Sequence, residues 1–436
     1  MRSQRPETKE SSLFSFRNSR LFFIGQLISQ IGSSMQVVAL GWIALRLSHN
    51  GFVLGLVTAA PIFAMLVAGP FGGFVADRLP ARPVLIGTSA ALGGLSAVLG
   101  LLASHNALTV WQLVVSALLV GAVNAVGVPT TQVFVSEIAA DRHLRQAITV
   151  NNAILDLSVV VGAALVGPVI GWLGTAGVIS ANAVSYVAVI AALLFMRPGE
   201  LHERQKAPKE RAQLWRAVGY LAPRRDLLLL LAITAVVSVF ATSLPPLLLL
   251  LSDQLGKGAD TYGTLLTAIS VGALTGACAM WRAKPALGTV LVGTLLLGVL
   301  ESAAGAMPTV VTLIAVLFPI GVISVVLRTA LLTLAQLWTD PELRGRVLAL
   351  YLSVYRVGWL LGTLTSGWLA RLWGPRAVLG LSGGAVAVTV LVIGIALVMA
   401  RALSVTRTAT GFRLVLPTPT ATLVGPATVR PTQDNV

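Results

Sequence analysis

Four ionisable residues stand inside long apolar runs of this chain: Asp156, Glu301, Arg328 and Arg356. A charge at the centre of a bilayer costs about 2.5 to 3.5 kcal/mol on insertion scales, so such a residue faces a cavity or a partner. Asp156 and Arg356 each lie about ten residues inside a run, roughly 15 Å from its end at the helical rise. Two readings of the pair stand. In one, the opposite charges neutralise each other across a cavity in one conformation and part in another, Asp156 then taking up a proton. In the other, each pairs locally with helix neighbours or water. Arg328 lies about eight residues inside its run and suits an anionic group of a ligand, a gate acid, or snorkelling to an interface.

Uncharged polar side chains add hydrogen-bonding capacity. Gln26, Gln30 and Ser33, spaced four and three, share one helical face, and Asn124 lies in a later run. Amides on a cavity wall suit an amphipathic molecule with a few hydrogen-bonding groups; glue between helices is the plainer reading. Tyr355 is a further candidate for the path, with Trp42, Phe240, Tyr351 and Trp359 near it in kind. The four histidines have no metal-ligand spacing, and Cys278 is the single cysteine. Neither a Walker pattern nor a nucleophile or paired-carboxylate motif occurs in the helices. We therefore expect neither an enzyme nor a bound metal or cofactor.

These residues need elements that hold them in an apolar medium. The chain has 436 residues, 56% of them hydrophobic and 11% charged, with a mean hydropathy of +0.86. An ordinary soluble domain is roughly 25% charged, so the lipid bilayer is the expected solvent. Apolar runs near membrane-spanning length predict helices over 21–46, 52–76, 83–103, 108–136, 146–172 and 176–196, then 227–251, 260–281, 286–306, 309–336, 345–371 and 376–400. The fold class expected is all-α: a polytopic membrane protein of twelve transmembrane helices in two pseudo-symmetric six-helix bundles. The expected division is a cytoplasmic N-terminal tail (1–20), a first bundle (21–196), a cytoplasmic central loop (197–226), a second bundle (227–400) and a disordered cytoplasmic tail (401–436). The start of the chain shows no cleavable leader pattern.

The formal charge of +15 raises the question of nucleic acid, but the basic residues sort by loop. With both termini cytoplasmic, only Arg46, Lys257, Arg371 and Arg376 fall outside, and only Arg328 and Arg356 fall within helices. That is the positive-inside pattern of a multi-pass membrane protein, with no nucleic acid partner expected. Arg outnumbers Lys by 26 to 5, the bias of a GC-rich bacterial genome, and the membrane expected is a bacterial cytoplasmic one. A repeat runs through the same frame. Asp141, Leu144 and Arg145 are matched by Asp340, Leu343 and Arg344 at an offset of 199, and Gly162, Gly167 and Gly174 by Gly362, Gly367 and Gly374 at 200. Gly69 and Gly73 are aligned with Gly272 and Gly276. Two parallel repeats place a substrate path at their interface near the midplane.

The stretch Gly73-Phe-Val-Ala-Asp77-Arg78-Leu-Pro-Ala-Arg82 resembles the signature loop between spans two and three of the major facilitator superfamily. Gly25-Gln26, Ser29-Gln30-Ile31-Gly32, Pro129 to Glu137, and Leu343-Arg344-Gly345-Arg346-Val347 resemble the drug and siderophore exporter branch related to the enterobactin exporter. The resemblance implies a latch of Gly73, Asp77, Arg78 and Arg82, with Glu137 as a further partner of Arg82, holding the outward-facing state closed on the cytoplasmic side. The plainer reading is that the arginines only set orientation. In the second repeat, Met280 and Trp281 replace Asp77 and Arg78, and Gln336 replaces Glu137. Ala163 to Gly171, around Gly167-Pro168, resembles the antiporter motif, although Gly162-Ala163 fits that place equally well. Span nine is peripheral in this family, which puts Glu301 on the surface.

The function implied is secondary active export of a drug, siderophore or secondary metabolite, exchanged for protons by a monomer. Uptake, or movement of a lipid-like molecule, is the alternative within transport; a membrane sensor or scaffold is the alternative outside it.

Overall fold

The computed structural model describes residues 13–139, 143–201, 219–255, 258–280, 285–340, 343–399, 404–408 and 411–415. Asp141, Lys257, Trp281, most of the central loop and most of both tails lie outside them. The first part of the chain forms α1 (Arg17–Ser48), α2 (Gly51–Arg78), α3 (Ala81–Ser104), α4 (Val110–Ile138) and α5 (Leu144–Phe195). The second part forms α6 (Arg225–Phe240), α7 (Leu244–Gln254), α8 (Gly258–Met280), α9 (Leu287–Ala306), α10 (Val310–Leu337) and α11 (Arg344–Met399). Beyond α11, β1 (Ser404–Thr408) and β2 (Gly411–Val415) pair antiparallel, with Ser404 opposite Val415. This hairpin falls within the tail expected to be disordered.

Among the described residues, ten stretches are long and apolar enough to cross a membrane, α6 and α7 together making one. Two are too long for a single pass. The 52 residues of α5 would extend about 78 Å as one rod, more than twice a hydrocarbon core. The rod breaks at Gly174, with φ of 70°, and α11 breaks at Gly374, with φ of 81°. With ψ of 174° and 157°, both lie in an extended positive-φ region that is essentially confined to glycine and costs an L side chain about 1 to 3 kcal/mol, and a Cβ at either position would meet nothing within 4 Å. Conformation, not crowding, selects glycine there. Pro375 follows immediately, preset for a helical first residue. Divided at these glycines, the ten stretches become twelve segments, and Gly174 and Gly374 are the pair aligned by the repeat.

The turns show the same repetition. Thr109 and Gln112 form a capping box at the start of α4, and Thr309 and Thr312 form one at the start of α10, 200 residues on. The alignment of Gly69 and Gly73 with Gly272 and Gly276 fails in three dimensions. The first two face open space, whereas the latter pack on the backbone of α10 at Phe318 and Val322. In the first half Gly72 makes the corresponding close approach, to Ala125 of α4.

Within the first half α1 and α3 pack on α5, and α2 packs on α4; within the second, α8 packs on α10, and α9 and α6 pack on α11. The halves meet chiefly through α2 against α11 and α5 against α8. Their closest backbone approaches lie at one end of the bundle. A Cβ on Gly55 would stand 2.9 Å from the Thr363 carbonyl oxygen and 3.2 Å from the Gly367 Cα, and one on Gly167 would stand 3.2 Å from the Asp260 Cα. This sealed end carries the Gly174 and Gly374 turns. The other, which carries Arg78, Arg82, Arg344 and Arg346, is the basic end. Small residues there let helices touch by backbone, the strongest packing available without a hydrophobic drive between helices.

Candidate functional site

Below the sealed end lies a cavity of about 310 Å³, within the range for small-molecule sites. The second half supplies most of its wall, from α6, the α6–α7 junction, α8, α9, α10 and α11, while the first half supplies only Asp156, Val159 and Val160 of α5. The register of α5 accounts for Asp156. Asn151, Ile154, Ser158 and Gly162 are buried along one face, and Gly162 meets Ser34 of α1. Two residues before Ser158, Asp156 turns to the opposite side and into the cavity.

Arg328 reaches it from α10, Nη2 standing 3.7 Å from Asp156 Oδ1, with the two side chains 54% and 61% exposed. That is an ion pair rather than a tight hydrogen bond. A pair so exposed is worth about 0 to 1 kcal/mol. It therefore links the halves by a contact that is easily broken. Tyr351 and Tyr355 of α11 line the same wall, within electrostatic reach of Arg328, and the Tyr355 ring stands 6.4 Å from that of Trp359.

In this structure the cation beside Asp156 is Arg328, and not the Arg356 of the first reading. Arg356 is half-buried and, among the described residues, makes no ion pair or hydrogen bond. It precedes Thr363 by seven residues, two helical turns, so it shares the α11 face that meets α2 at the sealed end. Symmetry of sequence position gave matched depth but not a matched direction.

The polar face of α1 also departs from expectation. Ser33 Oγ lies 3.0 Å from Tyr186 Oη, turned toward α5 beyond its break, and Asn182 Nδ2 donates to Gln36 Oε1 at 2.6 Å. Ser185 Oγ donates to Asn182 Oδ1 at 2.9 Å. These contacts join helices within the first half, the glue reading of the amides. Gln26, Gln30 and Asn124 are half-buried and do not line this cavity. Thr234, Thr242, Ser270 and Ser324 do line it and were not singled out by sequence. Their signal is weak because such hydroxyls bond back to their own helix: Thr234 to Leu230 O and Ser324 to Ile320 O, both at 2.7 Å.

At the basic end, Asp77 and Arg78 are exposed, Glu137 is half-buried in the last turn of α4, and a Cβ on Gly73 would meet nothing within 4 Å. The Arg78 guanidinium lies over the Phe74 ring, 4.0 Å from its centroid. Arg82 donates from Nε to Leu193 O at 2.8 Å and from Nη2 to Leu194 O at 3.1 Å. Arg17 donates to Phe195 O and Asn18 to Arg197 O. Arg82 and Arg17 thereby cap carbonyls that the end of α5 leaves without helical partners, and Asn18 ties α1 to the turn that follows. With the halves joined at the far end, Arg82 thus serves its own half. Glu301 overturns its assignment to the surface: it is 1% exposed.

The sequence comparisons bear on the same architecture. A family model described as transmembrane secretion effector matches residues 11–419. A staphyloferrin A transporter of Staphylococcus aureus is 26% identical over 180 residues, 41% of this chain and 44% of that protein. An uncharacterised MFS-type transporter of Bacillus subtilis, YfiS, is 23% identical over 200 residues, 45% and 47% of the two chains. The chain thus spans under half the length of the curated relatives it matches. Among solved structures, an inward-facing, unoccupied bacterial homologue of the human lysosomal transporter Spinster superposes with a TM-score of 0.67 at 14% identity, covering 89% of this chain and 96% of that one. The inward-open xylose transporter XylE of E. coli gives 0.64 at 13% identity, covering 88% and 96%. At such identities the likeness is one of fold.

Proposed function

The chain belongs to the transmembrane secretion effector family of the major facilitator superfamily, and from that premise we propose that it is a secondary transporter exporting a small amphipathic organic molecule in exchange for protons. The observation that carries this reading is the Asp156–Arg328 pair, which straddles the two halves inside the cavity. In alternating access the sealed end opens as the basic end closes, and a contact across the halves changes with it. A carboxylate parted from its cation in an apolar cavity is stabilised by taking a proton. One proton moving inward across 100 mV releases about 2.3 kcal/mol, enough for a gradient of roughly fiftyfold.

The wall chemistry matches an amphipathic substrate: aliphatic surface, two phenols, a few hydroxyls and one ion pair able to meet an ionised group. The similarity to a staphyloferrin A transporter agrees with a drug, siderophore or secondary metabolite as cargo. The setting proposed is a bacterial cytoplasmic membrane, with both termini inside and the monomer as the working unit. The basic-end cluster of Gly73, Asp77, Arg78, Arg82 and Glu137 re-forms as the inner latch when that end closes.

The test is proton movement in everted vesicles challenged with a panel of amphipathic compounds. Wild-type chain is expected to release protons when a transported compound is added, and Asp156→Asn to bind compound without proton release. Proton release at the normal rate in Asp156→Asn removes the coupling role. Compound movement in the uptake direction removes export.

A further inference from the structure

Glu301 is the one charged residue type in the buried polar set of the described residues, and neither Oε1 nor Oε2 has a hydrogen-bond partner. It sits in the outer part of α9, a helix wedged against α10 and α11. Its surroundings on α9 are apolar or already satisfied. Leu297 and Ala304 are buried, and Gly298 and Gly305 touch the backbone of α11 at Gly383 and Arg376. Ser302 Oγ donates to Gly380 O at 3.0 Å. A lone carboxylate here would meet the full cost of burying a charge.

Few charged groups face it. Along α10 none precedes Arg328, which is engaged with Asp156 at the cavity. On α11 beyond Gly374 the only one is Arg376, whose Nη1 donates to Met307 O at 2.7 Å. The earlier part of α11 brings Arg344, Arg346, Tyr351, Tyr355, Arg356 and Arg371. β2, which also touches α9, carries Arg413. A route exists nonetheless. Leu297 precedes Glu301 by four residues on the same helical face, about 6 Å away along the axis, and Leu297 lines the cavity. The carboxyl thus stands one helical turn beyond a residue of the cavity wall.

We propose that Glu301 is a proton-binding site of the second half, neutral while the Leu297 layer is closed and ionising when a change of access state lets cavity water reach it. The inference rests on the alternating-access reading above but not on Asp156 as the coupling group. It places a second titrating acid on the side of the molecule that supplies most of the cavity wall.

The test is infrared spectroscopy of the full chain in lipid. At neutral pH the wild type is expected to show the carbonyl stretch of an un-ionised carboxylic acid that Glu301→Gln lacks, exchanging slowly in heavy water. Gly55→Leu, which wedges the sealed end apart, should reduce that band severalfold. Absence of a Glu301-dependent band at neutral pH overturns the proposal, and so does a band of equal size in both access states. Glu301→Met serves if Glu301→Gln fails to fold, since it fills the same volume without polar atoms. A band unchanged by Gly55→Leu, with proton exchange still lost in Asp156→Asn, sinks Glu301 alone. Normal proton exchange in Asp156→Asn with a state-dependent band sinks the Asp156 role alone.

Discussion

The two halves repeat each other in backbone and part company in side-chain chemistry. Gly174 and Gly374 break equivalent helices with φ of 70° and 81°, and Thr109 and Thr309 cap equivalent ones. Polar groups are spent differently. The first half ties part of its polar interior together across α1 and α5, through Gln36, Asn182, Ser185, Ser33 and Tyr186, and leaves neutral atoms, Ser19 Oγ and Asn151 Oδ1, buried without a partner. The second half walls the cavity and buries a carboxyl with no partner. Duplication conserves what the chain needs to turn and cross, while the chemistry of the interior is free to diverge, because a turn is set by φ and a cap whereas a cavity is set by facing side chains.

The largest expected effect tests where the halves are joined electrically. Asp156→Arg sets two guanidiniums against each other, worth only about 1 kcal/mol between side chains this exposed, and also removes the carboxyl proposed to carry the proton, so transport should fall roughly a hundredfold. The exchange Asp156→Arg with Arg328→Asp should recover at least about tenfold of it. No recovery would mean that the pair does not work as a unit. Next comes the seam. Gly55→Leu places a side chain where a Cβ already meets the Thr363 carbonyl at 2.9 Å; overpacking costs about 1 to 3 kcal/mol. Spin labels on the basic ends of α2 and α10 should then report closure of that end, with the population shifted about tenfold.

Smaller effects test the symmetry itself. Gly174→Ala and Gly374→Ala should each destabilise by about 1 to 3 kcal/mol, equally, as read by thermal unfolding in detergent. A large inequality would show that one break is supported by more than its own dihedral. Thr109→Ala and Thr309→Ala remove one helix cap each and should cost about 1 kcal/mol apiece. Loss confined to one of them breaks the equivalence at the turns.

Most of the fold was legible because span length and turn chemistry are local. The run expected over 345–371 and the one over 376–400 are a single element in the structure, yet Gly374 marks the boundary in both. The site was only partly legible. Asp156 and Arg328 stand out as charges in apolar runs, and both reach the cavity. Their pairing was missed because the repeat suggested Arg356, and a repeat in sequence cannot say which face of a helix a residue occupies. Ser33 was read toward the cavity for lack of any sign of Tyr186 opposite it. Glu301 was read as surface because depth within a bundle depends on neighbours, here α10 and the far part of α11, that lie apart in sequence.

The glycine seam between α2 and α11 has a mechanical consequence. It sits at one extremity of helices such as α2, whose 28 residues make a rod about 42 Å long. A seam there acts as a fulcrum with a long arm. Each degree of tilt about it moves the far tips by about 0.7 Å, so a mouth about 10 Å wider needs a swing of only roughly 14°. Gearing of this kind lets contacts between a few small residues govern the width of the opposite mouth. It also makes one added methylene at the pivot weigh more than several at the tips.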